Sequence, residues 1–156
     1  MNVVVIDNGT GFTKMGYAGN TDPTHMIPTA ISSSQSVCSN PNPKNKQFLQ
    51  PLLDFQIGEE AHSLKQKRSL ISPLKNGIIE DWEAMEKFWH RSIYELLKCD
   101  PEQHRFILTE PCMNTPENRE KMAEIYFETF NCKGLYIGVQ AVLAMISSIY
   151  YSDTLC

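Results

Sequence analysis

The sequence predicts an α/β protein built on a mixed sheet, and three observations support this fold class. Val3 to Ile6 is a run of β-branched residues, typical of a strand buried on both faces. Asn8-Gly9 follows it and is a strong signal for a two-residue hairpin turn. Arg105 to Thr109 and Leu135 to Val139 have the composition of strands and are separated by a helical segment. Such a β-α-β unit predicts a parallel pair with a right-handed crossover, and the N-terminal hairpin is expected to join the same sheet.

The first hairpin combines glycines with groups that can hold a phosphate. Thr10 and Gly11 extend the turn that begins at Asn8-Gly9, so backbone N–H groups, a hydroxyl and the Lys14 ammonium can reach one anion. Asp7 ends the first strand, where a carboxylate is costly unless Lys14 or a hydrated Mg²⁺ compensates its charge. On these residues alone an ordinary hairpin, in which Lys14 only pairs with Asp7, is the simpler interpretation, because short glycine motifs often match by chance.

Composition and charge limit the class of protein. A chain of 156 residues has the length of one domain, and its five cysteines contain no C-x-x-C pair, which is typical of reduced cytosolic thiols. The four histidines are dispersed, so no zinc site is expected. A net charge of −4 argues against nucleic acid or an anionic membrane surface as the partner, and no segment has the length of a transmembrane span. We expect a soluble cytoplasmic protein with no nucleic-acid partner and no membrane insertion.

The segment after the hairpin changes character twice. Thr24 to Ile31 is predicted to form a third strand. Residues 32–50 are rich in serine, asparagine, proline and lysine, so we expect a mobile loop there. Phe55 to Gly58 and a short helix near Glu59 to Leu64 then form a small unit with the character of an insertion.

A longer helix is predicted to begin after Asp81, which can cap its N-terminus. Glu83 and Lys87 form one i,i+4 pair on it, and the helix is expected to end near Cys99-Asp100-Pro101. The aromatic stripe predicts a core face rather than a ligand site, because this spacing is how amphipathic helices bury one face. The apolar positions recur at helical spacing and are Trp82, Met85, Trp89, Ile93 and Leu96.

Two further helices follow. Thr115-Pro116-Glu117 is a helix start with a cap and a proline in the first turn, and this helix is expected to reach about Phe130. Gln140 to about Tyr150 is apolar on nearly every side. Leaving large aliphatic side chains half exposed forfeits a good part of the roughly 1.5–3 kcal/mol that each gains on full burial. We therefore expect the last helix to self-associate or to need a partner.

Several segments, taken in order, resemble the actin family over nearly the whole chain. They include the hairpin Asp7-Asn8-Gly9-Thr10-Gly11-Phe12-Thr13-Lys14, Gly77-Ile78-Ile79-Glu80-Asp81-Trp82, Leu108-Thr109-Glu110-Pro111 and Gly138-Val139-Gln140-Ala141. Other choices resemble an actin-related protein more than conventional actin: Gly19-Asn20-Thr21-Asp22-Pro23, Thr115-Pro116-Glu117-Asn118-Arg119-Glu120 and Gly134-Leu135-Tyr136.

This resemblance implies an actin-like ATPase fold of the ribonuclease H-like type, in which two similar α/β halves clasp ATP and Mg²⁺. Residues 1–28 and 73–156 would form subdomain 1, and residues 29–72 would form subdomain 2 as an insertion with the mobile loop near 32–50. The implied role is that of a cytoskeletal subunit of the actin-related protein 2/3 complex, which nucleates branched actin filaments. Its partners would be the other subunits of that complex and actin.

The resemblance also implies roles for individual residues. The residues that would line the phosphates are Gly9, Thr10, Gly11 and Phe12, and Lys14 would contact them. Asp7 would hold Mg²⁺ through water. Gln140 would position the hydrolytic water. Taken alone, Gln140 is simply a polar residue at a helix start. The resemblance makes Glu110 and Arg119 a structural ion pair under a β-α turn rather than an acid and a base.

Two departures from the family pattern limit these expectations. Lys75-Asn76-Gly77 stands where the family usually has a histidine before the glycine, which weakens the case for phosphate release there. The sequence also stops before a second glycine loop and an adenosine pocket, so we expect an N-terminal half with a split, weakened nucleotide site and little ATP hydrolysis. The alternatives are a fragment of a sugar-kinase or chaperone-type ATPase, and a short partner-binding form with no nucleotide function.

Overall fold

The computed structural model describes residues 2–33, 55–63 and 69–153. The mobile loop predicted near residues 32–50 lies outside the described residues apart from its first two positions. In chain order the elements are β1 (Val3–Asn8), β2 (Phe12–Tyr17), β3 (His25–Pro28), β4 (Ile31–Ser33), β5 (Phe55–Ile57), α1 (Gly58–Ser63), β6 (Ser69–Ile71), β7 (Leu74–Lys75), β8 (Ile78–Ile79), α2 (Trp82–Arg91), β9 (Arg105–Glu110), α3 (Pro116–Glu124), β10 (Gly134–Val139) and α4 (Gln140–Asp153).

A five-stranded mixed sheet forms the centre, with strand order β10-β9-β1-β2-β3. The strands β1, β9 and β10 are parallel, and β2 runs antiparallel to both of its neighbours, β1 and β3. The predicted fold class, the β-α-β unit and its union with the N-terminal hairpin are therefore confirmed. Alternate side chains of the central strands are buried in the core, among them Val4, Ile6, Met15, Phe106 and Leu108.

The first turn begins later than the sequence suggested. Asn8 pairs with Thr13 across the hairpin, so Asn8 is still part of β1 and the predicted two-residue turn at Asn8-Gly9 is wrong. The Asn8 side chain is buried, and its Oδ1 accepts a hydrogen bond of 3.1 Å from Trp89 Nε1. This tertiary contact holds Asn8 in the strand and leaves Gly9-Thr10-Gly11, here called the glycine turn, to reverse the chain.

The single strand predicted over Thr24 to Ile31 is also wrong, because the chain changes sheets within it. β3 belongs to the central sheet, whereas β4 lies between β5 and β6 in a separate three-stranded antiparallel sheet. The change occurs at Thr29 and Ala30, where Ala30 N donates to Pro28 O at 2.9 Å and bends the chain sharply. The short helix α1 follows β5 and agrees with the helix predicted near Glu59 to Leu64, whose last residue lies outside the described ranges.

Helix α2 begins as predicted. The Asp81 side chain accepts a hydrogen bond of 2.9 Å from Ala84 N. A π-helical segment, Ser92–Leu96, continues the helix and ends three residues before Cys99, near which the end was predicted. Trp89 and Ile93 are fully buried, whereas Trp82 and Leu96 are only partly covered. The stripe is therefore a core face, as its spacing predicted.

Helix α3 and the strand after it complete the crossover. The Thr115 hydroxyl accepts from Asn118 N, and Pro116 is the first helical residue, as predicted. A second π-helical segment, Ile125–Thr129, carries Tyr126, whose ring packs edge-on against those of Trp89, Phe106 and Phe130. In the described parts of the chain we find no helix that is long and apolar enough to cross a membrane.

Candidate functional site

The side chains of Asp7, Thr109 and Gln140 meet at one edge of the central sheet. Asp7 is near the end of β1, Thr109 is near the end of β9, and Gln140 directly follows β10 as the first residue of α4. Because β1, β9 and β10 are parallel, their carboxyl ends lie at the same edge. In open α/β sheets this edge is where ligands bind.

Asp7 is held by three neighbours. The Thr109 hydroxyl and the Gln140 side-chain amide both donate to Asp7 Oδ1, the amide at 3.1 Å. Lys14 Nζ lies 3.5 Å from the other oxygen, Oδ2. A carboxylate only accepts hydrogen bonds, so the nitrogen of the Gln140 amide must face Asp7. No donor among the residues that the structure describes forms a hydrogen bond to the Gln140 side-chain oxygen. This oxygen can therefore accept a hydrogen bond from a ligand or from water.

The glycine turn presents a hydroxyl at the same edge. Thr10 Oγ1 accepts a hydrogen bond of 2.8 Å from Gly77 N, which leaves the hydroxyl proton of Thr10 to donate elsewhere. A Cβ atom on Gly9 would lie 2.5 Å from the backbone oxygen of Phe12, so the turn needs glycine there. A Cβ atom on Gly11 would meet nothing within 4 Å, which means that this side of the turn is open.

Hydrogen bonds from Thr29 hold the glycine turn, and Thr29 in turn contacts a second buried threonine, Thr13. Thr29 Oγ1 donates to Gly9 O at 2.7 Å, and Thr29 N donates to Gly11 O at 2.9 Å. Thr13 Oγ1 lies 2.8 Å from Thr29 Oγ1, and both side chains are buried. Thr29 thus contacts both glycine carbonyls of the turn.

A second polar group lies just past the end of β9. Arg119 Nε donates to both carboxylate oxygens of Glu110 at 2.8 Å, and Asn114 Nδ2 donates to one of them at 2.9 Å. Burial alone would raise the pKa of Glu110, but the hydrogen bonds from Arg119 and Asn114 and the Arg119 charge hold this pKa below its ordinary value. The ion pair expected between Glu110 and Arg119 is present, with Glu110 only 2% exposed.

The ion pair of Asp7 and Lys14 borders an open groove of about 350 Å³ that runs along β2 and the turn after it. Lys14 and Asp7 keep 51% and 31% of their side-chain surfaces exposed, so both can reach a ligand. The described residues contain no cluster of three or more histidine, cysteine or acidic side chains able to hold a metal ion. A lone carboxylate is instead typical of Mg²⁺ sites, where waters and phosphate oxygens supply most ligands.

The structure brings together three side chains that the sequence singled out, Asp7, Lys14 and Gln140. Gly9, Thr10 and Gly11 form the turn beside them, and Phe12 opens β2 with a side chain that is half exposed. The roles of Thr109 and Thr29 were not predicted from the sequence. Thr109 had a usable signal, since a polar residue at the end of a buried parallel strand lies at the ligand edge.

Comparison with known proteins gives a consistent result. A family model described as "Actin" matches residues 1–152. Actin-related protein 3 of Acanthamoeba castellanii is 50% identical over 153 residues, covering 93% of this chain and 36% of that protein. Actin-related protein 3 of Dictyostelium discoideum is 52% identical over 145 residues, covering 93% of this chain and 34% of that protein. Actin-related protein 3 of Caenorhabditis elegans is 50% identical over 154 residues, covering 92% of this chain and 35% of that protein.

The chain spans just over a third of the length of these relatives and matches their N-terminal part. The resemblance to the actin family that was based on the hairpin and the later segments is therefore confirmed, as is the preference for an actin-related protein. With a family model that covers almost every residue and relatives of about half-identical sequence, the chain belongs to the actin family.

Proposed function

We propose that this chain supplies one wall of an ATP–Mg²⁺ site. The observation that carries the proposal is the convergence of Asp7, Lys14, Thr109 and Gln140 beside the glycine turn at the ligand edge of the sheet. An acid, a cation and an amide at this edge have the chemistry that a metal-bound phosphate requires.

The glycine turn and Lys14 would bind the phosphates. Gly9, Thr10, Gly11 and Phe12 would line them with backbone N–H groups, and the free hydroxyl proton of Thr10 would add one more donor. The half-exposed Lys14 ammonium would neutralise part of the phosphate charge by turning from Asp7 to the ligand.

Asp7 and Gln140 would act on the metal and on water. Asp7 Oδ1 is already engaged by Thr109 and Gln140, so Oδ2 would accept from the hydration shell of Mg²⁺. The Gln140 side-chain oxygen would accept from the hydrolytic water while its nitrogen stays fixed on Asp7 and Thr109. The bound nucleotide would supply the phosphoryl group and the metal its charge, whereas the chain orients them. We expect little or no ATP hydrolysis from the chain alone.

We also propose that the chain acts in the actin-related protein 2/3 complex and supports nucleation of branched actin filaments. The support is the similarity to relatives named actin-related protein 3. Its partners would be the other subunits of the complex and actin, in the cytoplasmic cytoskeleton. The proposed subdomains are residues 1–28 with 73–156 and residues 29–72. This division is supported by the strand pairing, since β4, β5 and β6 pair with one another and not with the central sheet.

Titration calorimetry with MgATP tests the nucleotide site. We expect a dissociation constant above the micromolar range, because the contacts come from one turn and one lysine. Lys14→Ala should weaken binding by about tenfold or more, since a hydrogen bond to a charged group contributes about 1.5–3 kcal/mol. Lys87→Ala, which removes an exposed charge from α2, serves as the control and should leave the affinity unchanged. Submicromolar binding would contradict the expected weakness, and equal binding by Lys14→Ala would contradict the proposed site.

A form without nucleotide function is the second candidate, and the ion pair of Lys14 and Asp7 is the observation that favours it. In an ordinary hairpin the only role of Lys14 would be to neutralise the charge of Asp7. The calorimetry separates the two, because such a chain would show no heat of binding with MgATP at millimolar concentration. Among the described residues, no observation favours the sugar-kinase or chaperone-type alternative.

Complex membership needs its own test. Tagged chain, purified from cells that make it, should carry the other subunits of the actin-related protein 2/3 complex, identified by mass spectrometry. Their absence, with the tagged chain itself recovered and folded, would contradict this part of the proposal.

A further inference from the structure

We infer that Thr29 is a positioning residue for the glycine turn, which it orients so that backbone N–H groups are offered to a phosphate; the inference rests on the proposed nucleotide site. Thr29 lies between β3 and β4, where the chain leaves the central sheet, and is 2% exposed. Its backbone nitrogen and its hydroxyl hold the two glycine carbonyls of the turn.

The hydrogen bonds of Thr13 and Thr29 run in one direction. Each hydroxyl has one proton, and that of Thr29 is donated to Gly9 O. In the contact of 2.8 Å between the two threonines, Thr13 must therefore be the donor and Thr29 the acceptor. The order is Thr13 to Thr29 to Gly9, so of these two hydroxyls only that of Thr29 donates to the turn.

The two carbonyl contacts fix which way the turn's N–H groups point. In a trans peptide the C=O and the following N–H lie on opposite sides, and the described residues contain no cis peptide. Because Gly9 C=O and Gly11 C=O both point to Thr29, the N–H groups of Thr10 and Phe12 point away from it. No acceptor among the described residues takes the Thr10 N–H, so this donor is available to an anion.

The alternative is that Thr29 only contributes to stability, as buried hydroxyls often do. The two roles differ in what they change. A stabilising residue affects the unfolding midpoint, whereas a positioning residue also affects the affinity for phosphate in protein that remains folded.

The test compares Thr29→Val, Thr29→Ser and Thr13→Val. Valine keeps the shape of threonine but cannot donate, serine keeps the hydroxyl, and Thr13→Val leaves the bond from Thr29 to Gly9 in place. Each folded variant is titrated with MgATP and followed by amide NMR signals of Thr10 and Phe12, and its unfolding midpoint is measured separately. Thr29→Ala replaces Thr29→Val if the latter does not give a dispersed spectrum.

We expect Thr29→Val to weaken MgATP binding by about fivefold, the effect of one lost hydrogen bond, with Thr29→Ser within about twofold of wild type. Thr13→Val should fall between them. Wild-type affinity in Thr29→Val, with shifts at Thr10 and Phe12 unchanged, would overturn the inference and leave the nucleotide site standing. No shift at these amides in the wild type would overturn the proposed site and this inference with it.

Discussion

At the residue scale, the buried Glu110 carboxylate depends on the arginine that faces it. Arg119→Met removes the charge and the donor, so burial would then raise the pKa of Glu110. In the wild type the pKa of Glu110 is lowered from its ordinary value of 4.5, so the ion pair stabilises the fold at neutral pH. This contribution is lost as the pH falls from 4.5 through the lower pKa that Glu110 has in the folded state. The stability difference between wild type and Arg119→Met should thus be large near neutral pH and shrink in acid.

Urea unfolding of both proteins from neutral pH into acid measures this difference. Lys121→Met is the control, because Lys121 also lies on α3 but forms only an exposed pair with Glu124. A difference that stays constant over the whole pH range would contradict the assigned role of the pair.

The glycine turn gives a second test at single residues. Gly9→Ala would place a Cβ atom 2.5 Å from Phe12 O, a backbone atom that cannot move aside easily, so a loss of about 1–3 kcal/mol is expected. Gly11→Ala meets nothing within 4 Å and should be neutral or stabilising by about 0.4–1 kcal/mol. Denaturant unfolding measures both. Equal losses would contradict the close approach of Gly9 to Phe12 O and the open space at Gly11.

Sequence reasoning found the residues of the site whose chemistry is visible locally. Asp7 and Lys14 lie in one short hairpin, and their types suggest phosphate and metal. The roles of Thr109 and Thr29 were not predicted, because each depends on a contact with a residue that is distant in the sequence. Asp7 lies 102 positions from Thr109, and Gly9 lies 20 positions from Thr29. For Thr109 a signal was available, since it ends a predicted parallel strand, whereas Thr29 carries no signal of its contact until the strand order is known.

At the scale of elements, helix starts were predictable because their signals are local. Asp81 caps α2 through one hydrogen bond to Ala84 N. We expect Asp81→Ala to cost about 1 kcal/mol and Asp81→Asn much less, because asparagine also accepts at this position. Glu83→Ala, which removes the exposed pair with Lys87, should cost about 0.3–0.5 kcal/mol. Thermal or urea unfolding checks the order, and equal costs for the two Asp81 variants would contradict the cap.

The two errors at this scale have a tertiary cause. Residues 24–31 were predicted as one strand although Pro28, which ends β3, argues against a continuous strand. The change of sheet follows at Thr29, where a buried hydroxyl network turns the chain. Asn8-Gly9 read as a turn because its local preference is strong, but the contact of Asn8 with Trp89 outweighs it. The π-helical segments after α2 and α3 likewise have no local signature in the sequence.

At the scale of the whole molecule, the fold class and the family were both accessible from the sequence. The β-α-β unit required a parallel pair, and the hairpin beside it gave the mixed sheet. The separate sheet of β4, β5 and β6 was not predicted as a sheet, because its strands are three residues each and lie far apart in the sequence.

Helix α4 leaves several large apolar side chains exposed. Val142, Met145 and Ile146 keep 47%, 57% and 56% of their surfaces exposed, and with Ile149 they form one stripe at helical spacing. Residues 140–152 contain no charged side chain, so two such helices would meet without charge repulsion. Exposed apolar stripes of this size are uncommon on monomers, and a second copy of the chain offers the matching surface.

We therefore expect the chain to sediment as a concentration-dependent mixture of monomer and larger species at tens of micromolar. Ile146→Glu should shift the distribution to monomer, because a carboxylate in the stripe would have to be desolvated on association. Ser147→Glu adds the same charge on the opposite side of the helix and should leave the distribution unchanged. Sedimentation velocity over a range of concentrations measures all three, and a wild-type chain that remains monomeric throughout would show that α4 is stable in water without a partner.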